Sequence, residues 1–286
     1  MTSEASVQET SPQETSPQET SLQDLYRTGD AVRPQLADAK QAADRHGPLL
    51  DFVKRTCGNA RGSLLEVGCG DGWVSWLLSE AGFDVTGIDL HAEGHVPTPH
   101  ERLVFRQGSA LDLPFPDASF DVVVTNQTVE HLPDPERGLR EMVRVLRPRG
   151  QLIVVGPNLL SPLASVYAAT RWVWQNRPRS TIFVRKPGMP RHPLGNTLPE
   201  VLGLMVRNWA LIGRKLIEPH PSFTMREPDV VPPFHGDNDA TYLCNPIDLK
   251  RRLPDFGCKV TQVGAYDRPP GSWILVGGTW IAGEKL

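Results

Sequence analysis

Through the middle of the chain, short apolar runs alternate with segments of helical periodicity. Ser63 to Val67 is the first run; Gly68, Gly70 and Gly72 close it before a helical segment from Trp73 to Ala81. Further runs fall at Asp84 to Ile88, Leu103 to Arg106, Phe120 to Thr125 and Gln151 to Val155. Each reads as a buried strand, being short, apolar and bounded by turn residues. A helix is predicted from about Pro135 to Leu146, with proline in its first turn and Pro148-Arg149-Gly150 beyond its end. Such strands alternating with helices imply an α/β fold, a parallel sheet covered on both faces. Cys258 to Val263 and Trp273 to Ile281 read as two more strands. Only about nine residues join them, too few for a helical crossover, so this pair is predicted antiparallel.

The flanks follow other patterns. Residues 1–21 repeat Gln-Glu-Thr-Ser from Gln8, Gln13 and Gln18 and hold almost nothing to bury, so a disordered low-complexity leader is expected. Leu22 to Thr56 is mostly helical in its spacing, with Leu36, Ala39, Ala42, Ala43, Leu49, Leu50 and Val53 apolar. The stretch from Gly156 to about Phe256 is too long for a plain connection. Its end reads as a helix from Pro246 to Leu253 with Asn245 as N-cap. Residues 159–245 are expected to form an inserted cap between strands five and six. It would lie over the carboxyl ends of the strands, where open α/β sheets bind ligands. Within it, Leu198 to Ile217 reads as an amphipathic helix with Leu202, Met205, Trp209 and Ile212 along one side.

Composition narrows the function classes. With 39% hydrophobic and 22% charged residues, the 286-residue chain suits a soluble globular protein, and a net charge of −3 shows no polyanion-binding character. Cys57, Cys69, Cys244 and Cys258 are scattered, which fits reduced thiols in a cytoplasmic protein and argues against a metal site. No apolar run is long enough to span a bilayer, and the N-terminus has no secretory pattern. Charge is uneven, however. From Leu159 to Ile217 the basic residues are Arg171, Arg177, Arg179, Arg185, Lys186, Arg191, Arg207, Arg214 and Lys215, with Glu200 the lone acid. Tyr167, Trp172, Trp174, Phe183 and Trp209 lie among them. Arginine with tryptophan suits an anionic acceptor, and a basic amphipathic helix suits peripheral contact with an anionic membrane.

The glycine-rich turn carries the most specific chemistry. Glycines after a strand let backbone approach a ligand closely, and the helix start that follows offers N–H groups to an electron-rich partner. The spacing Gly68-x-Gly70-x-Gly72 differs from the dinucleotide fingerprint. Glu66 stands two residues before it, and Asp89 ends the second strand, where a carboxylate can accept from ribose hydroxyls.

On these residues the chain resembles a class I methyltransferase that uses S-adenosylmethionine, of the small-molecule, type 11-like branch. The resemblance covers roughly Leu64 to Asn158. It implies a Rossmann-like, seven-stranded, mostly parallel sheet with helices on both faces and a reversed last strand. It divides the chain into the leader, N-terminal helices and cofactor-binding core over 22–158, the cap over 159–245, and the final helix and two strands over 246–286. It places Glu66, Gly68, Cys69 and Gly70 along the tail and ribose of S-adenosyl-L-methionine. It puts Asp89 on the ribose hydroxyls and Leu90 on the adenine, with Ser109 and Ala110 at the adenine edge. Relatives often carry an acid where Ser109 stands; a serine oxygen still accepts from the adenine amine. Asn126 and Gln127, after strand four, fall beside the methionine tail and methyl group. Tyr26, Arg27 and Asp30 could also face the pocket.

The implied reaction is methyl transfer to a small-molecule acceptor. The expected acceptor site is oxygen, on an anionic, glycan- or lipid-type compound or a secondary metabolite. A base is needed only where a hydroxyl must lose its proton. Glu130-His131 reads chiefly as helix-start architecture, with His131 kept as the candidate base. His192, His220, His235, Asp237, Asp239 and Tyr242 are further candidates in the cap. Nucleic acid is not the expected partner: Asn126-Gln127-Thr128-Val129 lacks the double-proline motif of amino-methylating nucleic-acid enzymes. Two other readings are a non-catalytic S-adenosylmethionine-binding module and, against the glycine spacing, a nucleotide-dependent oxidoreductase. Nothing in the sequence sets the oligomeric state.

Overall fold

A computed structural model of the chain describes Leu36 and residues 38–90, 100–161, 198–228, 239–265 and 278–286. The leader, Tyr26, Arg27, Asp30, His192, His235, Asp237 and the basic and aromatic residues of 167–191 lie outside these.

Seven strands form one sheet: β1 Ser63–Val67, β2 Asp84–Asp89, β3 Leu103–Gln107, β4 Phe120–Asn126, β5 Leu146–Pro157, β6 Cys258–Val263 and β7 Gly278–Lys285. Their order is β3-β2-β1-β4-β5-β7-β6. The first five pair in parallel, and β7 runs antiparallel to both neighbours. This is the predicted mostly parallel sheet with the expected reversed strand. The chain reverses from β2 and β3 on one side of β1 to β4 on the other. That switch opens the crevice at the carboxyl ends of β1, β2 and β4, where a ligand site belongs.

Alternation along the strands builds two cores. On one face, Leu65, Val67, Val123, Leu152 and Val154 pack with Leu139, Met142 and Val143 of helix α3 (Pro135–Val145) and with Leu249 of helix α5 (Pro246–Arg252). On the other, Leu64, Val122, Val124 and Ile153 pack with Leu49, Phe52 and Val53 of helix α1 (Ala39–Cys57) and Val74 and Leu78 of helix α2 (Trp73–Glu80). Leu64 and Leu65 are both fully buried, one on each face, worth about 1.5–3 kcal/mol apiece.

Helix boundaries follow their caps. The Asp38 side chain accepts from Gln41 N–H at the start of α1, and Asp134 accepts from Arg137 N–H at the start of α3. Asn245 caps α5, as predicted, by accepting from Asp248 N–H at 3.0 Å. A short 3₁₀ turn, Leu253–Phe256, extends that helix.

Two expectations need correction. Strand five begins at Leu146, not Gln151, because the chain re-enters pairing with Phe120 before a register shift. Helix α4 (Leu198–Ile217) forms over the predicted span, but its faces differ from the predicted ones. Ile212 is buried, whereas Trp209 points outward and is 51% exposed. Asn208 and Lys215 take buried positions. The Lys215 ammonium is satisfied there by the Asp248 carboxylate of α5, at 2.7 and 2.8 Å, and by the Ser222 carbonyl. Ile212, with Leu159, Leu160, Ala240, Leu243 and Ile247, forms a third apolar cluster that joins this helix to the core.

Candidate functional site

The turn after β1 is held first by backbone. Gly68 and Cys69 both donate their N–H to the Ile88 carbonyl, at 2.8 and 3.1 Å. Gly68, Gly70 and Gly72 all have left-handed φ, of 77°, 50° and 81°. At Gly68 glycine is required twice: a Cβ would lie 2.2 Å from Thr128 Oγ1. Gly70 donates its N–H to Asp89 Oδ2 at 2.9 Å, which ties the carboxylate at the tip of β2 to the loop.

Glu66 sits behind this turn. It is buried, accepts from the Ser75 hydroxyl of α2, and does not line the crevice. Gly87, its register partner on β2, makes room, since a Cβ there would meet Ser75 Oγ at 2.7 Å. Burial pushes the Glu66 carboxyl up to about 8; the Ser75 hydrogen bond pulls the other way, and Asp71 and Asp89 add like charge. A carboxyl raised in the folded state stabilises the fold below its unfolded value near 4.5, and that contribution is lost as pH rises through 8. Glu66→Gln is neutral throughout. Wild type is therefore expected to lose on the order of 5 kcal/mol relative to the variant between these pH values. Urea unfolding of both proteins across the range checks this; parallel curves would refute it.

The crevice is lined by Gly68, Ile88, Asp89, Leu90, Gly108, Ser109, Ala110, Leu111, Gln127, Thr128, His131, Leu132 and Pro133. Seven sequence-predicted residues therefore meet in one place: Gly68, Asp89, Leu90, Ser109, Ala110, Gln127 and His131. Its apolar lining, from Ile88, Leu90, Ala110, Leu111 and Leu132, suits a flat aromatic ring. The Ser109 hydroxyl accepts from Leu111 N–H at 3.2 Å, so it also shapes its own turn. Gln127 takes φ 55° and donates its N–H to Val155 O, which bends the chain out of β4. Asn126 remains in β4, paired with Val155, and does not line the crevice. Cys69 is buried beside the loop, and burial raises its thiol, so it stays protonated. Sequence reasoning missed Thr128, Leu132 and Pro133. Thr128 could have been found only from its fit against Gly68, sixty residues away.

Glu130 and His131 lie in a 3₁₀ turn, Val129–His131, between β4 and α3. The segment 240–243, which leads into α5, docks on it. Thr241 and Tyr242 donate their N–H groups to the Glu130 carbonyl at 2.8 and 3.0 Å, and Thr241 Oγ1 donates to the Leu132 carbonyl. Of the other candidate bases, Tyr242 is buried and donates to Asp248, with burial raising its phenol well above the usual value. His220 is exposed beside Asp255 at 3.1 Å. Among the described candidates Asp239 approaches His131, its Oδ2 3.3 Å from Nδ1, though it does not itself line the crevice.

A switch-point crevice, a left-handed glycine turn and a tethered carboxylate at the tip of β2 define a nucleoside-binding α/β domain. Residues 65–154 match the methyltransferase domain family. The chain is 36% identical over 136 residues to a probable S-adenosylmethionine-dependent methyltransferase of Mycolicibacterium smegmatis, covering 47% of this chain and 52% of that one. It is 29% identical over 170 residues to a ubiquinone biosynthesis O-methyltransferase of Aromatoleum aromaticum, covering 54% and 72%. The fold matches the solved S-adenosylmethionine-dependent methyltransferase of Mesorhizobium loti, with a TM-score of 0.51, 14% identity, and 84% and 97% of the two chains covered. The chain thus spans about half the length of the mycobacterial relative it matches. Residues 65–154 therefore carry a methyltransferase domain of the kind that uses S-adenosyl-L-methionine. Among the described residues, no helix is long and apolar enough to cross a membrane.

Proposed function

We propose that this protein transfers a methyl group from S-adenosyl-L-methionine to a hydroxyl oxygen of a small anionic, glycan- or lipid-type acceptor or secondary metabolite. The observation that carries this reading is the convergence of Gly68, Asp89, Leu90, Ser109, Ala110, Gln127 and His131 on one crevice. Those residues fit the cofactor. Gly68 lets the loop pack directly on Thr128 at the crevice wall, Asp89 can accept from two ribose hydroxyls, and Leu90 and Ala110 present apolar surface to the base. Ser109 stands at the adenine edge and Gln127, just past β4, beside the tail, while Asn126 supports it from the end of that strand. Glu66, Cys69 and Gly70 form the floor and the loop. When bound, the cofactor supplies a methyl group already made electrophilic by its sulfonium. The chain's own task is to hold the acceptor in line, exclude water and take up the hydroxyl proton, for which His131 is the proposed base.

The test is calorimetry with S-adenosyl-L-methionine, followed by release of labelled methyl to hydroxylated acceptors. Asp89→Ala is expected to weaken binding at least tenfold, with the fold unchanged by circular dichroism. Heat without transfer to any acceptor would leave only a binding module; no heat at all would end the reading.

The acceptor class rests on the cap. Outside the buried Lys215, helix α4 presents Val206 (70% exposed), Trp209 and Ile217 (81% exposed) to solvent, with Arg207 and Arg214 alongside. Arg214 pairs with Glu218, so Arg207 carries more of the attraction to an anionic surface. An apolar stripe edged by arginine suits an anionic lipid interface. The O-methyl acceptor is supported by the likeness to the ubiquinone biosynthesis O-methyltransferase of A. aromaticum. Vesicles containing phosphatidylglycerol should co-sediment the full chain more than neutral phosphatidylcholine vesicles do; equal sedimentation would remove the lipid-type acceptor.

A further inference from the structure

The cap delivers a carboxylate to the candidate base. Asp239 Oδ2 lies 3.3 Å from His131 Nδ1, an ion-pair contact without hydrogen-bond geometry as the ring stands, although the two residues are far apart in sequence. The approach is anchored. Two residues on, Thr241 is bound to the Glu130 and Leu132 carbonyls, and Leu243 N–H bonds to the Thr224 carbonyl at 2.9 Å. His131 Nδ1 has almost no solvent exposure, whereas the ring as a whole lines the crevice, with its side chain 12% exposed. The other ring nitrogen, Nε2, stands 3.8 Å from the buried Glu130 Oε1, beyond hydrogen-bond reach. Among the described residues, the carboxyl groups within 4 Å of the imidazole are Glu130 from its own turn and Asp239.

We propose that Asp239 is the positioning residue of His131: it holds the ring proton on Nδ1 and so makes Nε2 the nitrogen that accepts the acceptor's proton. This deepens the reading of the crevice as an O-methyl transfer site and rests on it. In the step so arranged, the acceptor hydroxyl gives its proton to Nε2. Its oxygen bonds to the methyl carbon as the carbon–sulfur bond breaks, and that electron pair stays on sulfur. The imidazolium left behind faces the Asp239 carboxylate, which stabilises its charge. Because Asp239 belongs to the cap, the base is oriented only while the cap's end is docked on the 129–131 turn. A carboxylate reaching an imidazole from a separate element would thus couple cap docking to proton transfer.

The experiment is ring-nitrogen magnetic resonance on the full chain labelled with 15N-histidine. Spectra are recorded from pH 5 to 9, with and without S-adenosylhomocysteine. His131→Gln identifies the His131 signals by their loss. Wild type is expected to show the Nδ1–H tautomer. Asp239→Asn should lower the His131 pKa by about one unit and erase the tautomer preference. Asp239→Glu should restore part of both, and Glu130→Gln should leave the tautomer in place. An unchanged His131 tautomer and titration in folded Asp239→Asn overturns the proposal. Should Asp239→Asn fail to fold, an Nε2–H tautomer in wild type overturns it equally. Calorimetry on the same samples judges the cofactor reading separately, since S-adenosylhomocysteine binding does not require the Asp239–His131 contact.

Discussion

Lys215→Met lowers the free energy of unfolding by about 3–5 kcal/mol, a loss that chemical denaturation of the full chain will show. The ammonium is 3% exposed and bonds both oxygens of an Asp248 carboxylate that is itself wholly buried. Asp248 also accepts from the Tyr242 hydroxyl at 3.0 Å and from Asn245 Nδ2 at 2.8 Å. Removing the lysine leaves that carboxylate without its counter-ion. Burial already raises the Asp248 carboxyl against the pull of Lys215, so the variant adapts by binding a proton. Its deficit should therefore shrink toward acid pH. Lys215→Met combined with Asp248→Asn keeps an acceptor for Tyr242 without the buried charge, and should recover about half of the lost stability. A surface-like change below 1 kcal/mol for Lys215→Met would refute the buried pair. Because α4, α5 and the 240–245 segment meet at this network, the loss falls on the joint between cap and core.

Gly68→Ala is expected to reduce S-adenosyl-L-methionine affinity at least a hundredfold, measured by calorimetry, with the sheet retained by circular dichroism. Two independent penalties act. Alanine at φ 77° costs roughly 1–2 kcal/mol of backbone energy. Its methyl would also overlap Thr128, whose Oγ1, Cγ2 and Cβ lie 2.2, 2.4 and 2.8 Å from that position. Relief requires the loop or the start of the 129–131 turn to move, and both line the crevice. Adding Thr128→Gly removes the overlap but not the strain, so it should return part of the affinity. Wild-type affinity in Gly68→Ala alone would show that the turn does not approach the ligand.

Much of the architecture was legible in the chain. Five apolar runs separated by helical periodicity can bury both strand faces only as a parallel sheet. A short predicted link before the last strand argues against a crossover, and β6 and β7 do pair antiparallel, although the last strand runs over Gly278–Lys285 and not the predicted Trp273 to Ile281. The cap at Asn245 was readable because a capping side chain acts on a backbone N–H three residues away. Boundaries were less so. Pro148-Arg149-Gly150 carries turn chemistry, yet the strand starts before it, because pairing with β4 outweighs a local preference. Within the site, Asp89 and the glycines were legible since their conformations are set locally. Thr128, Leu132 and Pro133 were not, because their place depends on how the exit from β4 packs against a loop formed sixty residues earlier.

The charged residues divide most sharply between the two levels. Lys215 reads as one more cation of a basic cap, and only its packing against Asp248 shows that its charge is sealed inside the protein. Trp209 reads as part of an apolar core stripe, and only the way α4 lies on the core turns it outward. Asp239 reads as a loop acid until the cap folds back and sets it against His131. Periodicity and glycine spacing act over a few residues, so the chain alone specifies sheet, turn and cofactor class. Burial and pairing of charge depend on which distant elements meet, and desolvation makes that meeting decisive: the same carboxylate or ammonium is inert in water and dominant once enclosed.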